Sequence, residues 1–240
     1  MHMGKQRVLI TGASKEKGIG VETAKLFLDA GYEVIIIGRN FSKFPLADKE
    51  NVTTISFDLE QIEKIGKLAK EIGEIDVLVN NAGVNNFTNI IDYTPEKKER
   101  ISRINLEAPI ELIKAFLPVF EKKGKGRIIN VASNAGEYGN RDIWYGITKA
   151  GQINLTKSIA TTEGEKGIII NAVAPGVVNT QWLTTSPYQD MYDTAKKKAF
   201  TNRLADPKEI AQTIFWLGTG SPEYLNGQTI NISGGQQRIF

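Results

Sequence analysis

The chain has 240 residues, 41% of them apolar, a formal net charge of +3 and no cysteine. A disulfide framework and a thiolate zinc site are excluded, so no metal is expected and any redox chemistry needs a bound organic cofactor. No apolar stretch is long enough to span a membrane, and the positive charge is too small and dispersed to suggest nucleic acid.

The first element ends in "VLITGASKEKGIG", a β-rich run that stops at a glycine turn. Gly12, Gly18 and Gly20 allow a sharp bend and a close approach, and Val21 to Ala30 reads as the helix that the turn opens. Helix starts present unpaired N–H groups, so this turn suggests a bound phosphate. A second strand follows at Glu33 to Ile37 and completes a βαβ unit of dinucleotide-binding length. Further β-rich runs lie at 52–57, 75–79, 127–132, 167–173 and 228–232, mostly separated by helical periodicity. With the first run at 7–11, they predict an α/β, three-layer doubly wound Rossmann fold with a seven-stranded parallel sheet. We expect one domain over residues 1–240, cytoplasmic, with ligands at the carboxyl edge of the sheet. The basic run "KKGKG" at 122–126 reads as a solvated helix end followed by a turn.

Ser133 ends the fifth strand, and twelve residues later "WYGITKAG" places Tyr145 and Lys149 four apart on one face of a predicted helix. A phenol ionises near pH 10, and a neighbouring ammonium lowers that value by favouring the phenolate. A serine hydroxyl at the strand end can hold a carbonyl oxygen while the tyrosine gives up its proton. Asn179 to about Leu204 has weak periodicity and contains Trp182, Pro187, Tyr188 and Tyr192; we expect it, at about 179–204, to be a lid over the substrate.

In these residues the chain resembles the short-chain dehydrogenases/reductases, in the Y-x-x-x-K form of about 250 residues. "TGASKEKGIG" resembles the family's cofactor loop, "NNAG" at 80–83 its sheet-stabilising motif, Asn105 its helix asparagine, and "NAVAPGVVNT" the segment bordering the nicotinamide. The resemblance implies an NADP-dependent oxidoreductase interconverting a carbonyl and an alcohol, in which Tyr145 moves the proton and Lys149 lowers its pKa. Ser133 would orient the carbonyl, and Asn105 would hold a water that relays protons to the lysine. It also implies cofactor contacts from Gly12, Ser14, Lys17, Gly18, Ile19 and Gly20 in the loop, and from Asp58 and Leu59 after the third strand. Asn81, Ala82 and Gly83, then Tyr145 and Lys149, then Pro175, Gly176, Val178 and Thr180 complete the implied set. Three departures stand out: Gly12 and Gly18 are two residues further apart than usual, Ser233 replaces a frequent aspartate, and Glu137 lies in the segment expected to face the substrate. Six residues, not three, would separate tyrosine from lysine in an enoyl reductase of this superfamily.

NAD-preferring enzymes place an acid at the end of the second strand, where this chain has Gly38 and Arg39. Glu33 opens that strand and so sits at the wrong edge, whereas Arg39 with Lys17 can pair with a 2′-phosphate, which predicts NADP(H). The expected partners are a small carbonyl or alcohol substrate and three more copies in a homotetramer, with no nucleic acid and no membrane. A 3-oxoacyl-carrier-protein reductase is the leading expectation, with Arg103, Arg141 and Lys196 to Lys198 available as a basic rim. A sugar, polyol or secondary-alcohol dehydrogenase would be favoured by Glu137, Asn85 and Gln181 in a polar pocket, and an apolar substrate by Trp182 and Tyr188. A non-catalytic nucleotide sensor is the rival of another class, although such proteins usually lose the tyrosine or lysine.

Overall fold

Strands that are apolar almost to their last residue need cover on both faces, and the fold supplies it. In the computed structural model, which describes residues 4–181 and 189–236, seven parallel strands form one sheet. They are β1 (Arg7–Thr11), β2 (Glu33–Gly38), β3 (Val52–Ser56), β4 (Val77–Asn80), β5 (Gly126–Val131), β6 (Ile168–Pro175) and β7 (Thr229–Ile232), in the order β3-β2-β1-β4-β5-β6-β7. Each falls within two residues of its expected run. β4 begins late because the Asp76 carboxylate turns to accept from Arg7 N at 2.8 Å, and β6 runs on to Pro175, which pairs with Ile232.

The described helices are α1 (Ile19–Asp29), α2 (Ile65–Ile72), α3 (Pro95–Ser102), α4 (Ala108–Lys123), α5 (Ala135–Tyr138), α6 (Ile143–Glu163), α7 (Gln189–Lys198) and α8 (Pro207–Thr219). Alternate strand residues feed two cores. Val8, Ile10 and Ile36 pack with Phe27 of α1 and with Ile214 and Leu217 of α8. On the other face Leu9, Ile35 and Leu78 pack with Leu68 of α2 and with Leu112 and Phe116 of α4, and Leu155 and Ile159 of α6 adjoin them. α4 ends at Lys123, where Gly124 takes the left-handed conformation at φ +62°, and Lys122 and Lys123 pair with Glu74 and Asp76. "KKGKG" is therefore a helix end and a turn, as expected, with its two helical lysines paired locally. No described helix is long and apolar enough to cross a membrane.

The chain runs outward from β1 to β3 and then returns to β4, so the strand order reverses between β1 and β4. Loops leaving these two strands diverge above the sheet and open a crevice at the carboxyl edge. They are tied together at its base: Thr11 Oγ1 accepts from the backbone N–H groups of Asn81 at 3.1 Å and Ala82 at 3.0 Å. Asn81 Nδ2 donates back to Thr11 O at 2.8 Å and Gly12 O at 3.1 Å. At Gly12, with φ +74°, an added Cβ would lie 2.6 Å from Ala82 Cα, so only glycine lets the loops pass this closely.

Thr11→Val keeps the side-chain shape but leaves the Ala82 N–H without its acceptor and the Asn81 N–H with Val79 O alone. It should cost about 1–3 kcal/mol, measured as a lower urea midpoint at unchanged m-value, and Thr11→Ser should restore most of the loss.

Candidate active site

A cleft of about 450 Å³ follows the carboxyl ends of β1, β2, β4, β5 and β6. Gly12, Ser14, Lys17, Gly18, Ile19 and Gly20 line it from the glycine turn, and Arg39, Asp58 and Leu59 from beyond β2 and β3. Asn81, Ala82 and Gly83 follow β4, while Pro175, Gly176, Val178 and Thr180 follow β6. Ser133, Tyr145 and Lys149 join them, so Asn105 alone of the expected site residues lies off its surface.

The turn has the features needed to hold a dinucleotide phosphate. A Cβ on Gly20 would lie 2.7 Å from Asn81 Nδ2 and 2.8 Å from Ala13 Cα, so α1 seats directly against the β4 loop. A Cβ on Gly18 would meet nothing within 4 Å, and no side chain caps α1, which leaves its first N–H groups open to the cleft. The two-residue lengthening is taken up by exposed Lys15, Glu16 and Lys17, and Lys17 O accepts from Gln181 N at 3.3 Å across the cleft. Arg39 and Lys17 are exposed, and among the described residues neither cation is drawn into an ion pair. Glu33 pairs with Arg7 at the opposite edge. No acid would fit at Gly38 as the chain stands, because a Cβ there would lie 2.8 Å from Ser14 Cβ.

The chemistry-bearing groups converge on α6. Asp142 caps this helix by accepting from Tyr145 N at 3.1 Å, and it also accepts from Asn86 N at 2.9 Å and from the Tyr93 hydroxyl. It thereby fixes the start of α6 to the loop after β4; as an aspartate immediately before a helix, it could have been found in the sequence as a cap. Ser133, buried just beyond β5, acts on the Tyr145 phenol and lowers its proton affinity. Lys149, 3% exposed, donates to Val131 O at 2.7 Å and Gln152 Oε1 at 3.2 Å, with Nζ 5.8 Å from the Tyr145 ring centre.

Three of these residues are held in ways the sequence did not show. Burial pushes the Tyr145 phenol up to about 12, Ser133 pulls the other way, and the Asp142 charge pushes it up further. The same burial lowers Lys149 to about 7. Second, the Asn105 side chain is engaged within the protein. Its Oδ1 accepts from Val84 N at 2.8 Å and its Nδ2 donates to Val84 O at 2.9 Å and Thr148 Oγ1 at 3.1 Å, while a side chain, Gln152, joins its carbonyl to Lys149. Third, Glu137 does not line the cleft: it accepts from Asn231 Nδ2 at 2.5 Å, and Ser233 donates to Asn231 Oδ1, so two departures from the family pattern meet on β7.

Some cleft residues escaped the sequence reading. Asn134, Asn140, Ile104 and Phe87 line it; Tyr192 of α7, named within the expected lid, lines it too. Phe87 sits at φ +50°, a conformation costly for a bulky residue, with its N–H donating to Asn85 Oδ1 at 2.7 Å. Asn85 and Gln181 also line the cleft, whereas Trp182, Pro187 and Tyr188 lie outside the described residues. Of the proposed basic rim, Arg103 pairs with Glu99 and Glu63, and Lys196 with Asp193.

Comparison with known proteins places this arrangement. Residues 12–237 match a family model described as Enoyl-(Acyl carrier protein) reductase. The chain is 33% identical over 242 residues to a 7alpha-hydroxysteroid dehydrogenase of Bacteroides fragilis, covering 95% of this chain and 93% of that protein. It is also 33% identical over 255 residues to the 3-oxoacyl-[acyl-carrier-protein] reductase FabG of Vibrio cholerae, with all of both chains covered. A solved structure of ElxO with NADP bound superposes with a TM-score of 0.86 at 31% identity, covering 97% of this chain and 98% of that one.

Burial of Lys149 sets a pH dependence of stability. Its folded pKa of about 7 lies below the ordinary 10.5, so between these values the unfolded chain binds more protons and stability rises with pH. Relative to Lys149→Met, the unsubstituted protein should gain at most about 3 kcal/mol from pH 7 to pH 10, read from urea unfolding of both proteins. A difference that stays flat with pH would show that the lysine is charged throughout.

Proposed function

This chain belongs to the short-chain dehydrogenase/reductase family, and on that premise we propose that its cleft reduces the 3-oxo group of an acyl thioester. Bound NADPH supplies the hydride. The observation that carries the reading is the convergence of Ser133 and Tyr145 beside buried Lys149, in the same cleft as Arg39 and Lys17. With its pKa pushed up to about 12, Tyr145 is protonated at neutral pH, which is the state a proton donor to a carbonyl oxygen must have. Ser133 holds that oxygen within reach of the phenol, so its negative charge meets two donors as it develops. Lys149 lies behind the tyrosine and is placed to steady the phenolate left after proton transfer. Asn105 acts at one remove by fixing Val84 and Thr148, the residue before the lysine.

The glycine turn and α1 start hold the pyrophosphate, Arg39 and Lys17 take the 2′-phosphate, and Asp58 and Leu59 lie where an adenine would rest. Asn81 to Gly83 and Pro175 to Thr180 flank the nicotinamide half. α7 forms part of a lid at about 179–204 over the substrate, with Tyr192 facing the cleft. The same reading makes the protein a cytoplasmic homotetramer, supported by exposed Ile110 on α4 and Ile147 on α6. An acetoacetyl thioester mixed with NADPH and followed by nucleotide absorbance tests the substrate; a panel of plain ketones and sugar acids reduced in preference would overturn it.

Tyr145→Phe should lower kcat by roughly 10²- to 10⁴-fold and leave the NADPH Kd within a few-fold, since it removes the proton donor and not the cleft. Retention of most of the kcat would remove the tyrosine from this role. Arg39→Ala should lower kcat/KM with NADPH by about 10- to 150-fold, change it little with NADH, and do so less at high salt. Equal losses with both cofactors would mean that Arg39 does not meet the 2′-phosphate.

A further inference from the structure

We propose that Gln152 is a positioning residue for Lys149, a bridge that holds the ammonium to the main chain of the distorted helical turn around Asn105. The proposal rests on the reading that Lys149 supports Tyr145, and it begins with a break in helical geometry. Residues Arg103–Glu107 form a π-helical turn between α3 and α4. Such a turn shifts the ordinary hydrogen-bond ladder and can leave a carbonyl in need of a donor. Asn105 is fully buried, away from bulk solvent. Gln152 Nε2 supplies the donor, at 2.5 Å, from α6.

Gln152 is itself fully buried, and its other end accepts from Lys149 Nζ at 3.2 Å. An amide carries donors at one end and an acceptor at the other, so one side chain serves a carbonyl and an ammonium together. This fixes its orientation: turned over, it would set oxygen against the Asn105 carbonyl and NH₂ against the ammonium. The bridge is anchored further along α6, where Thr156 Oγ1 donates to Gln152 O at 2.8 Å. Asn130 Nδ2 of β5 donates to Thr156 Oγ1 at 2.9 Å, and Asn80 Nδ2 of β4 donates to Asn130 Oδ1 at 2.9 Å. A buried polar chain thus runs from the centre of the sheet to the lysine.

The acceptors holding Lys149 are neutral. Tyr145 is the titratable group beside it, and Asp142, at the start of the same helix, acts on that tyrosine. From the elements packed on α6, Lys98 of α3 lies over the Trp144 ring, Glu137 of α5 is bonded to Asn231, and Arg103 is paired with Glu99. Arg127 of β5 is bonded to Ser221, and β6 carries no charged residue. Removing the amide oxygen therefore takes away one of two acceptors that favour the charged lysine with no carboxylate to replace it.

The test is the titration of Lys149 in the cofactor-free protein, followed by the ¹³C shift of its Cε in lysine-labelled protein and assigned by its loss in Lys149→Met. Gln152→Leu should lower the midpoint by about one pH unit, and Gln152→Glu, nearly the same shape, should raise it. The alkaline limb of kcat/KM for ketone reduction should move in the same directions. An unchanged midpoint in either folded variant, or displacement of both in one direction, would overturn the proposal. If Gln152→Leu does not fold, the Gln152→Glu midpoint decides alone. Because the titration needs no turnover, a Tyr145→Phe enzyme that kept its activity would defeat the catalytic reading and leave the bridge standing.

Discussion

An ammonium group taken almost wholly out of water is the constraint around which this site is built. Lys149 has little solvent to stabilise its charge, and the two acceptors that remain are a main-chain carbonyl at the end of β5 and an amide on its own helix. The lysine consequently titrates about where cells operate, and its hold on the neighbouring phenol depends on how its hydrogen bonds are filled. Val131 O is available because β5 ends there, and Gln152 because the next helical turn of α6 faces the same interior. Sheet and helix therefore meet at one atom, Lys149 Nζ, and Gln152 links it to the distorted turn.

The second organising feature is the tight crossing of the loops after β1 and β4. A strand order that reverses between neighbours opens a crevice, but the loops leaving it must be fixed if they are to hold a ligand. Thr11, Asn81 and the bare backbone of Gly12 do this with hydrogen bonds and close contact rather than bulk. The extra length of the glycine turn then projects outward without disturbing that base. Arg39 and Lys17 remain exposed at one end of the cleft. The reactive groups lie at the buried end, where electrostatic interactions are stronger.

Much was legible in the sequence. Strand and helix periodicities determined the doubly wound sheet, because a parallel strand buried on both faces leaves a run that few other structures need. The four-residue interval placed Tyr145 and Lys149 on one helix face, and the resemblance carried by the quoted motifs implied the remaining cleft residues. Tertiary structure decided what those residues meet. Asn105 lies in a π-helical turn, Glu137 turns to β7, and Gln152 reaches the lysine from an otherwise ordinary helix position. The phenol is raised rather than lowered because desolvation is a sum over everything packed around a group, and sequence spacing describes only its nearest neighbours along the chain. Local order follows from local sequence; burial, and with it proton affinity, is set by segments as distant as Asn105 and Gln152 brought together by folding.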